Sequence, residues 1–494
     1  MPIDQIRLRT YAGHVRAVLL RQQMTNLNRL MRTLKNKPLW ALLIGGALIF
    51  TACKKDDDDP ATPVVPVNTA FTITDLGNNT NKVEGASASN ITFTSDKQWL
   101  LHGFVYVESG ATLTIEPGTV IKGDKNSKGT LIIKRGAKIN ADGTLAQPIV
   151  FTSNQPPGSR DYGDWGGIII CGRADNNQPG GEALIEGGPD AFYGGGNSPN
   201  DADDSGILRY VRIEFPGIAL QPNQEINGLT LGAVGSGTTI DHVQVSYCGD
   251  DSFEWFGGTV DAKHIVAFRG WDDSFDTDNG YRGKVQFALS IADPAVADQS
   301  GSNGFESDND ASGSTAAPYT RPIFSNVTFY GPYAVAGGTP NTQYKRAAHI
   351  RRNSRLNAFN TVFAGYPTGI LVDGSPAEAN AANNTLQVRG SIVAGCPSPL
   401  ETVSSSTFDI STWFNTTGWG NSVMPQVSDL GLSTPLALTA PALLPNGGSP
   451  LLSGADFSGP AGDAFFDPVS FRGAFGATDW TSGWCNWDPQ NTVY

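Results

Sequence analysis

Short alternations of apolar and polar positions, each ending in a glycine, recur along the chain. Residues 105–111 are matched by residues 131–137, and residues 243–253 are matched by residues 265–275. Such alternation has the period of a half-buried β-strand. The glycine, asparagine, aspartate or proline that follows each alternation turns the chain. The pattern predicts many short strands, each recurring after 22 to 26 residues.

A repeat of this length without helical periodicity predicts a parallel β-solenoid. One coil cannot bury its apolar face alone, so coils stack and equivalent residues lie about 4.8 Å apart. Residues 90–480 would then form about 10–13 coils. Three segments lack the alternation and are predicted to be lateral insertions: residues 174–206, 311–322 and 333–346. The tryptophan-rich residues 480–489 are predicted to cap the last coil.

Six segments carry a resemblance to known proteins. Three of them resemble the opening coils of right-handed β-helices of the pectin-lyase-like type: residues 110–123, 148–153 and 164–168. The other three resemble one family of Bacteroidetes surface lipoproteins: residues 249–258, 302–310 and 471–476. The resemblance covers residues 70–494 and implies an all-β, right-handed, single-stranded parallel β-helix. It implies a location at the cell surface but no activity.

The N-terminal segment has the features of an export signal. Residues 39–50 are uncharged, and four bases precede them: Arg29, Arg32, Lys35 and Lys37. Twelve residues are too few for a spanning helix, which needs about 20, but they suit a signal-peptide core. Thr51 and Ala52 before Cys53 resemble a bacterial lipoprotein signal that is cleaved before Cys53 and lipidated there. The alternative is an uncleaved short anchor.

We therefore expect residues 1–53 to be a lipoprotein signal, with residues 1–23 upstream of a true start at Met24 or Met31. Residues 54–69 are acidic and then proline-rich, as in a stiff tether. The aspartates at 56–59 resemble a surface-export tag, although a solvated spacer is the simpler interpretation. The expected location is the outer membrane, with a lipid anchor and exposure at the cell surface.

Composition excludes several classes of protein. The 494 residues include 47 acidic and 34 basic side chains, giving a net charge of −13, which argues against nucleic acid as a partner. Hydrophobic residues make up 39% of the chain, enough to fill a core and argue against disorder. The cysteines in the body of the chain form no CxxC pair, so we expect mostly buried thiols rather than a zinc site: Cys171, Cys248, Cys396 and Cys485.

The repeat of 22 residues aligns acidic side chains on neighbouring coils. It predicts an inward stack of phenylalanines with an outward ladder of Glu254, Asp276 and Glu306 beside it. Asp278 and Asp308 would form a second acidic row. The predicted stack consists of Phe253, Phe275 and Phe305.

Carboxylates about 5 Å apart repel by about 3 kcal/mol at an effective dielectric constant near 20, so something must offset the ladder. A calcium ion could be held by Glu254, Asp276, Asp278, Glu306 and Asp308, because calcium takes six to eight oxygen ligands. Arg351 or Arg352 on the next coil could lie above Glu306 instead. In the third interpretation the ladder side chains extend into water, while four aspartates bind turn amides: Asp250, Asp251, Asp272 and Asp273.

Catalysis is a weaker hypothesis than binding. A pair of carboxylates could serve a glycosidase, but any β-helix ladder supplies such pairs. Pectin-degrading hydrolases of this fold carry Gly-His-Gly and Arg-Ile-Lys motifs, and both are absent from the sequence. We assign no catalytic residue. If the protein is an enzyme, four residues are the candidates: Glu254, Asp276, Glu306 and Arg351.

The sequence leaves three functions open. The first is a non-catalytic β-helix that binds a glycan or a surface protein. Its ligand-binding candidates are Trp255, Trp271, Tyr281, Asp278 and Asp308, because exposed aromatic rings stack on sugars. For Trp255 and Trp271, a place in the core is the alternative. The second is a lyase or hydrolase acting on acidic polysaccharide, and the third is a structural spacer or adhesin.

Overall fold

The computed structural model describes residues 70–221 and 224–494 of the chain. The expected lipoprotein signal, Cys53 and the whole tether at residues 54–69 lie outside the described residues. The described part is a right-handed parallel β-helix, as expected from the sequence. Among the described residues, no helix combines the length and the apolar character needed to cross a bilayer.

The strands are numbered in chain order. They are β1 (Thr72–Asp75), β2 (Thr80–Ser87), β3 (Ile91–Phe93), β4 (Gln98–Val107), β5 (Thr112–Ile115), β6 (Val120–Gly123), β7 (Thr130–Ile133), β8 (Lys138–Asp142), β9 (Ile149–Ser153), β10 (Gly167–Cys171), β11 (Ala183–Leu184), β12 (Phe192–Tyr193), β13 (Gly206–Glu214), β14 (Ala219–Gln221), β15 (Gln224–Glu225) and β16 (Leu229–Gly232). They continue with β17 (Thr239–Ser246), β18 (Phe253–Phe256), β19 (Ala262–Phe268), β20 (Phe275–Asp278), β21 (Lys284–Ile291), β22 (Asn303–Ser307), β23 (Ile323–Tyr330), β24 (Arg346–Ile350), β25 (Asn357–Phe359), β26 (Val362–Ala364), β27 (Thr368–Val372), β28 (Gln387–Arg389), β29 (Ile392–Ala394), β30 (Ser398–Thr402) and β31 (Ser422–Met424).

Helices are few and short. The α-helices are α1 (Ser375–Ala382) and α2 (Ile410–Phe414). Single turns of 3-10 helix lie at Pro179–Gly181, Val427–Leu430, Pro450–Leu452 and Gly459–Gly462.

One strand of each coil belongs to a continuous parallel series that we call the site sheet. It runs β2, β4, β7, β10, β16, β18, β20, β22, β24, β27 and β30. These are eleven strands and therefore eleven coils, within the range expected from the repeat length. The register confirms both repeats, because Val105 pairs with Leu131 and Phe253 pairs with Phe275.

Five longer strands bend around a corner of the coil. Each contains one residue of positive φ, between 50° and 59°, and the pairing register passes over that residue. Because the bend recurs at the same place in consecutive coils, the side chains at the bend stack: the rings of Tyr210 and His242 are 4.4 Å apart, and those of His242 and His264 are 4.3 Å apart. The residues at the bend are Tyr210, His242, His264, Phe287 and Asn326.

The tryptophan-rich C-terminal segment covers this corner rather than the last coil, which corrects the sequence prediction. Trp480 and Trp484 pack edge-on against His242 at 6.3 and 5.5 Å between ring centroids, and Trp487 packs against Phe268. The physical reason is that the stacked rings at the bend form an apolar surface along the side of the coils. The C-terminal tryptophans cover this surface and remove it from water. Near the last coils the buried rings are those of Trp413, Phe414 and Trp419.

The predicted insertions fall between strands of the site sheet. Residues 174–206 contain β11 and β12 and cover part of the outer face of that sheet. There Ile185 and Tyr193 join Ile132, Ile169 and Phe256 in a second apolar cluster. The four cysteines of the body are free thiols, two of them buried and two half-buried. This agrees with the expectation of mostly buried thiols.

Candidate functional site

The predicted phenylalanine stack lies inside the coils. Phe253, Phe275 and Phe305 pair in register and are each 0% exposed. Their ring centroids are 5.8 and 5.9 Å apart. Because side chains alternate across a strand, the acidic residues that follow each phenylalanine point to the outer face.

The predicted acidic ladder forms on that outer face. Glu254 pairs with Asp276, and Asp276 pairs with Glu306. The next rung is His349, which pairs with Glu306 in register and lies 3.5 Å from it through Nδ1. The prediction that Arg351 or Arg352 would occupy this rung is therefore wrong, since the strand after the insertion begins two residues earlier than that alignment assumed.

Arg351 nevertheless neutralises one half of the ladder. Its guanidinium bonds Glu306 and donates from Nε to Asp308 at 2.9 Å, and Arg352 donates to Asp308 at 2.7 Å. Burial alone would raise the pKa of Glu306, but the bonds from His349 and Arg351 hold its pKa below the usual value. Arginine therefore offsets the repulsion at Glu306 and Asp308.

The other half of the ladder belongs to a carboxylate group that we call the acidic cluster. Its members lie in two sets of three whose oxygens approach within 4.8 Å, and the two sets share Asp251. Within the part of the chain that the structure describes, none of these carboxylates forms an ion pair with a lysine or arginine. The members are Asp250, Asp251, Glu254, Asp272 and Asp276.

Turn amides satisfy only part of the acidic cluster. Asp251 accepts from the Asp273 amide at 2.8 Å, and Asp273 accepts from the Asn303 amide. Asp272 accepts from Ser300 Oγ at 2.9 Å through one oxygen. The other oxygen of Asp272, and Oδ1 of Asp276, are buried without a hydrogen-bond partner. A buried acceptor without a partner costs about 1–3 kcal/mol, so a cation bound at these two oxygens would stabilise the fold.

Burial dominates the ionisation of the acidic cluster. It raises the pKa values of Asp251, Glu254 and Asp276 well above their ordinary range, and neighbouring carboxylates raise them further. Burial also raises the pKa of Asp272 to about 7. Without a cation, burial and the neighbouring carboxylates therefore oppose full ionisation of the cluster.

The donor set fits a hard divalent cation. Carboxylate oxygens from two adjacent coils converge, and calcium accepts six to eight such ligands in flexible geometry. Of the five residues predicted to bind calcium, Glu254 and Asp276 lie in the converging set. Glu306 and Asp308 are bound by arginine instead, and Asp278 lies outside both sets of three.

The aromatic candidates divide between core and surface. Trp255 and Tyr281 are 0% exposed, so their rings lie among core side chains and offer no face to a sugar. Trp271, which directly precedes Asp272, is 38% exposed. Its ring meets that of Tyr162 edge-on at 5.9 Å. Only Trp271 of the three therefore remains a ligand-binding candidate.

Comparison with known proteins agrees with this architecture. The family model described as a pectate-lyase-like β-helix domain matches residues 85–423, more than half of the chain. The chain belongs to the pectate-lyase-like β-helix family. A crystal structure of the Dettilon tailspike protein (gp208) is similar at 10% identity, with a TM-score of 0.24, over 63% of this chain and 62% of that chain. No curated protein sequence matches the chain.

In this pectate-lyase-like β-helix, the four residues named as catalytic candidates do not form one open constellation. Arg351 is held between Glu306 and Asp308, and these carboxylates raise the pKa of its guanidinium despite burial. A guanidinium in that state is a poor base. Glu254 is buried and accepts a hydrogen bond from Asn227.

Sequence reasoning missed a histidine pair at the corner of the coils. His242 and His264 place their Nδ1 atoms 2.9 and 2.8 Å from the same oxygen of Asp241. Their rings stack with an interplanar angle of 24°. The ligand atoms of Asp241, His242 and His264 all lie within 4.8 Å of one another, so these three residues form a further group that could hold a metal ion.

The raised pKa values predict a pH dependence in the presence of a chelator. The pKa of Asp272 and that of Asp278 lie near 7 in the folded protein, against 3.8 ordinarily, so the folded state binds more protons than the unfolded state between these values. The stabilisation is complete below the lower value and is lost as the pH rises through the upper one. We expect the urea midpoint to fall across this window. A midpoint that rises with pH would contradict the assignment.

Proposed function

We propose that this pectate-lyase-like β-helix is a lipid-anchored protein of the outer-membrane surface that binds a glycan without cleaving it. The binding site is the acidic cluster, loaded with calcium, together with the ring of Trp271. Calcium would be held by Asp251, Glu254 and Asp276, with Asp250 and Asp272 converging on Asp251 beside them.

The observation that carries the proposal is an exposed tryptophan one residue before an aspartate that has an unpartnered buried oxygen. A calcium ion held by three or four protein oxygens keeps coordination positions for sugar hydroxyls. An exposed ring next to it can stack on the apolar face of the same sugar. Trp271 and Asp272 supply these two functions from adjacent positions of one chain segment.

The enzymatic alternative draws on the burial of Asp272. Burial raises the pKa of Asp272 to about 7, and a general acid works best near the operating pH. A lyase or hydrolase acting on acidic polysaccharide would use this carboxyl. Against it, Arg351 is engaged in two ion pairs and provides no base.

A polysaccharide panel tests the proposal, with binding and product release measured on the same samples. In calcium, we expect saturable binding, no reducing ends and no unsaturated uronides. Trp271→Ala should weaken binding by about tenfold, because a stacked ring contributes about 0.5–1.5 kcal/mol beyond its buried area. Phe192→Ala is the matched control, since that ring is 46% exposed on the insertion.

Two outcomes would reject the binding function. Turnover that disappears in Asp276→Ala would make the protein an enzyme. An absence of glycan binding, with or without calcium, would favour the spacer or adhesin or a protein partner at the surface.

The anchor carries its own prediction. Cys53→Ala should release the protein from the membrane fraction, because the cysteine thiol is the only acceptor for the lipid in the expected signal. Fractionation and immunoblotting measure this. Retention of uncleaved Cys53→Ala protein in the membrane would contradict the lipoprotein proposal.

Neutral residues at positions 56–59 should reduce surface exposure in protease shaving of intact cells.

A further inference from the structure

A cavity of ≈ 360 Å³ lies beside the start of β24, two coils beyond β20 along the site sheet. Its lining includes two cations and no carboxylate, in a chain whose net charge is −13. The lining residues that bear on the argument are Tyr333, Thr342, Lys345 and Arg346.

Lys345 is positioned rather than free to swing. Its stem packs against Gly301, where a built Cβ would lie 2.8 Å from Lys345 Cγ. Its Nζ donates to the Thr342 carbonyl at 3.1 Å and to Gln343 Oε1 at 2.9 Å. An ammonium has three donors, so one remains, and neither partner carries a negative charge.

Arg346 has no partner for its guanidinium among the described residues. Its backbone is fixed by pairing with Asn303 and Thr368 on the neighbouring coils. The side chain is half-buried, yet no carboxylate, carbonyl or ring of the described chain engages it. Arg351, five residues later, is in contrast bound by two carboxylates.

In a second cavity of this protein, the lining cations are paired with carboxylates of the chain. That cavity, of ≈ 300 Å³, is lined by Lys134 and Arg135 among others. There Lys134 pairs with Glu108 at 3.0 Å and Arg135 pairs with Glu182 at 2.6 Å. Lys345 and Arg346 lack such counter-charges, which leaves both cations available to an external anion.

We propose that the cavity at Lys345 and Arg346 binds the oxyanion of an acidic saccharide, either a carboxylate or a sulfate ester. A guanidinium matches such groups through two parallel N–H donors, and the lysine adds a third donor. Tyr333, 47% exposed at the same cavity, offers a ring to the sugar that carries the anion. This inference rests on the proposed glycan-binding function and narrows its ligand to an acidic glycan.

The position supports one continuous binding surface. Asp250 and Asp272 precede β18 and β20, and Lys345 precedes β24, so all lie at the same edge of the site sheet. Two coils separate β20 from β24, about 10 Å along the axis. A short oligosaccharide can therefore contact the acidic cluster with one residue and the cationic cavity with another.

Calorimetric titration of the full-length protein in calcium tests the inference with three matched oligosaccharides: neutral, uronate-containing and sulfated. We expect the wild type to prefer an acidic ligand, and the preferred one identifies the oxyanion. Arg346→Gln and Lys345→Gln should each lower affinity for that ligand by about tenfold and leave neutral binding unchanged. Arg321→Gln, which removes an exposed arginine outside the cavity, is the control and should change neither.

The outcomes separate this inference from the function on which it rests. Equal affinity for neutral and acidic ligands, or acidic binding retained in Arg346→Gln, overturns the inference and leaves glycan binding intact. If none of the three saccharides binds, the glycan-binding function fails. Titration with methyl sulfate and acetate then tests whether the cavity binds an oxyanion at all. Loss of that binding in Arg346→Gln supports an oxyanion site, whereas no binding to the wild type rejects it.

Discussion

Phe275→Ala is expected to destabilise the β-helix by about 3–5 kcal/mol, the usual range for a phenylalanine truncated in a well-packed core. Phe275 is 0% exposed and occupies the middle of the inward stack, with ring contacts to Phe253, Phe305 and Phe324. A solenoid coil is stabilised only by its two neighbours, so the cavity affects both interfaces of this coil.

Urea unfolding followed by circular dichroism measures the effect. Phe275→Leu keeps most of the volume and should lose less than about 1.5 kcal/mol. Phe192→Ala removes an exposed ring and should change stability by less than about 0.5 kcal/mol. If Phe275→Ala were no more harmful than Phe192→Ala, the stack would not be the core of these coils.

Arg351→Ala is expected to cost about 3 kcal/mol, because it leaves two buried or half-buried carboxylates without their main partner. The side chains of Glu306 and Asp308 are 17% and 6% exposed. Arg352→Ala is the matched control, since its side chain is 42% exposed and bonds Asp308 alone, so a loss below about 1 kcal/mol is expected.

The same pair of variants separates the two halves of the ladder. Calcium should not rescue Arg351→Ala, because arginine rather than an ion neutralises Glu306 and Asp308. Melting curves with calcium and with chelator measure this. Full rescue by calcium would show that the ion site extends to Glu306, as the sequence alone suggested.

The sequence predicted the coil, the inward stack and the acidic ladder because each follows from an exact repeat. Residues 243–253 and 265–275 fix the register of two coils, so Glu254 and Asp276 had to be neighbours. Asp251 was recognised only as a turn residue. Its place among the converging oxygens depends on the geometry of the turn, which the alternation of apolar and polar residues does not predict.

The residues that contact the acidic ladder from the coil after an insertion could not be predicted from the sequence. Residues 311–345 lie between Glu306 and the next strand of the site sheet. A shift of two residues in the alignment after them decides whether His349 or Arg351 pairs with Glu306. The corner stack was missed because positive φ is uncommon outside glycine, and at His242 and His264 it leaves no mark in the alternation. The C-terminal tryptophans cover that stack, so their position was missed with it.

Calorimetric titration of calcium into chelator-treated, full-length protein tests most directly whether the acidic cluster is a cation site. We expect saturable binding in the wild type and in Glu306→Gln, and none in Asp251→Asn or Asp276→Asn. At a hundredfold excess over its dissociation constant, calcium should stabilise the wild type by about 2.7 kcal/mol. Asp276→Asn should also be more stable than the wild type in chelator at alkaline pH, because there the buried wild-type carboxyl must ionise among its neighbours and the amide stays neutral. No binding heat, together with the same melting temperature in calcium and in chelator, would contradict the account.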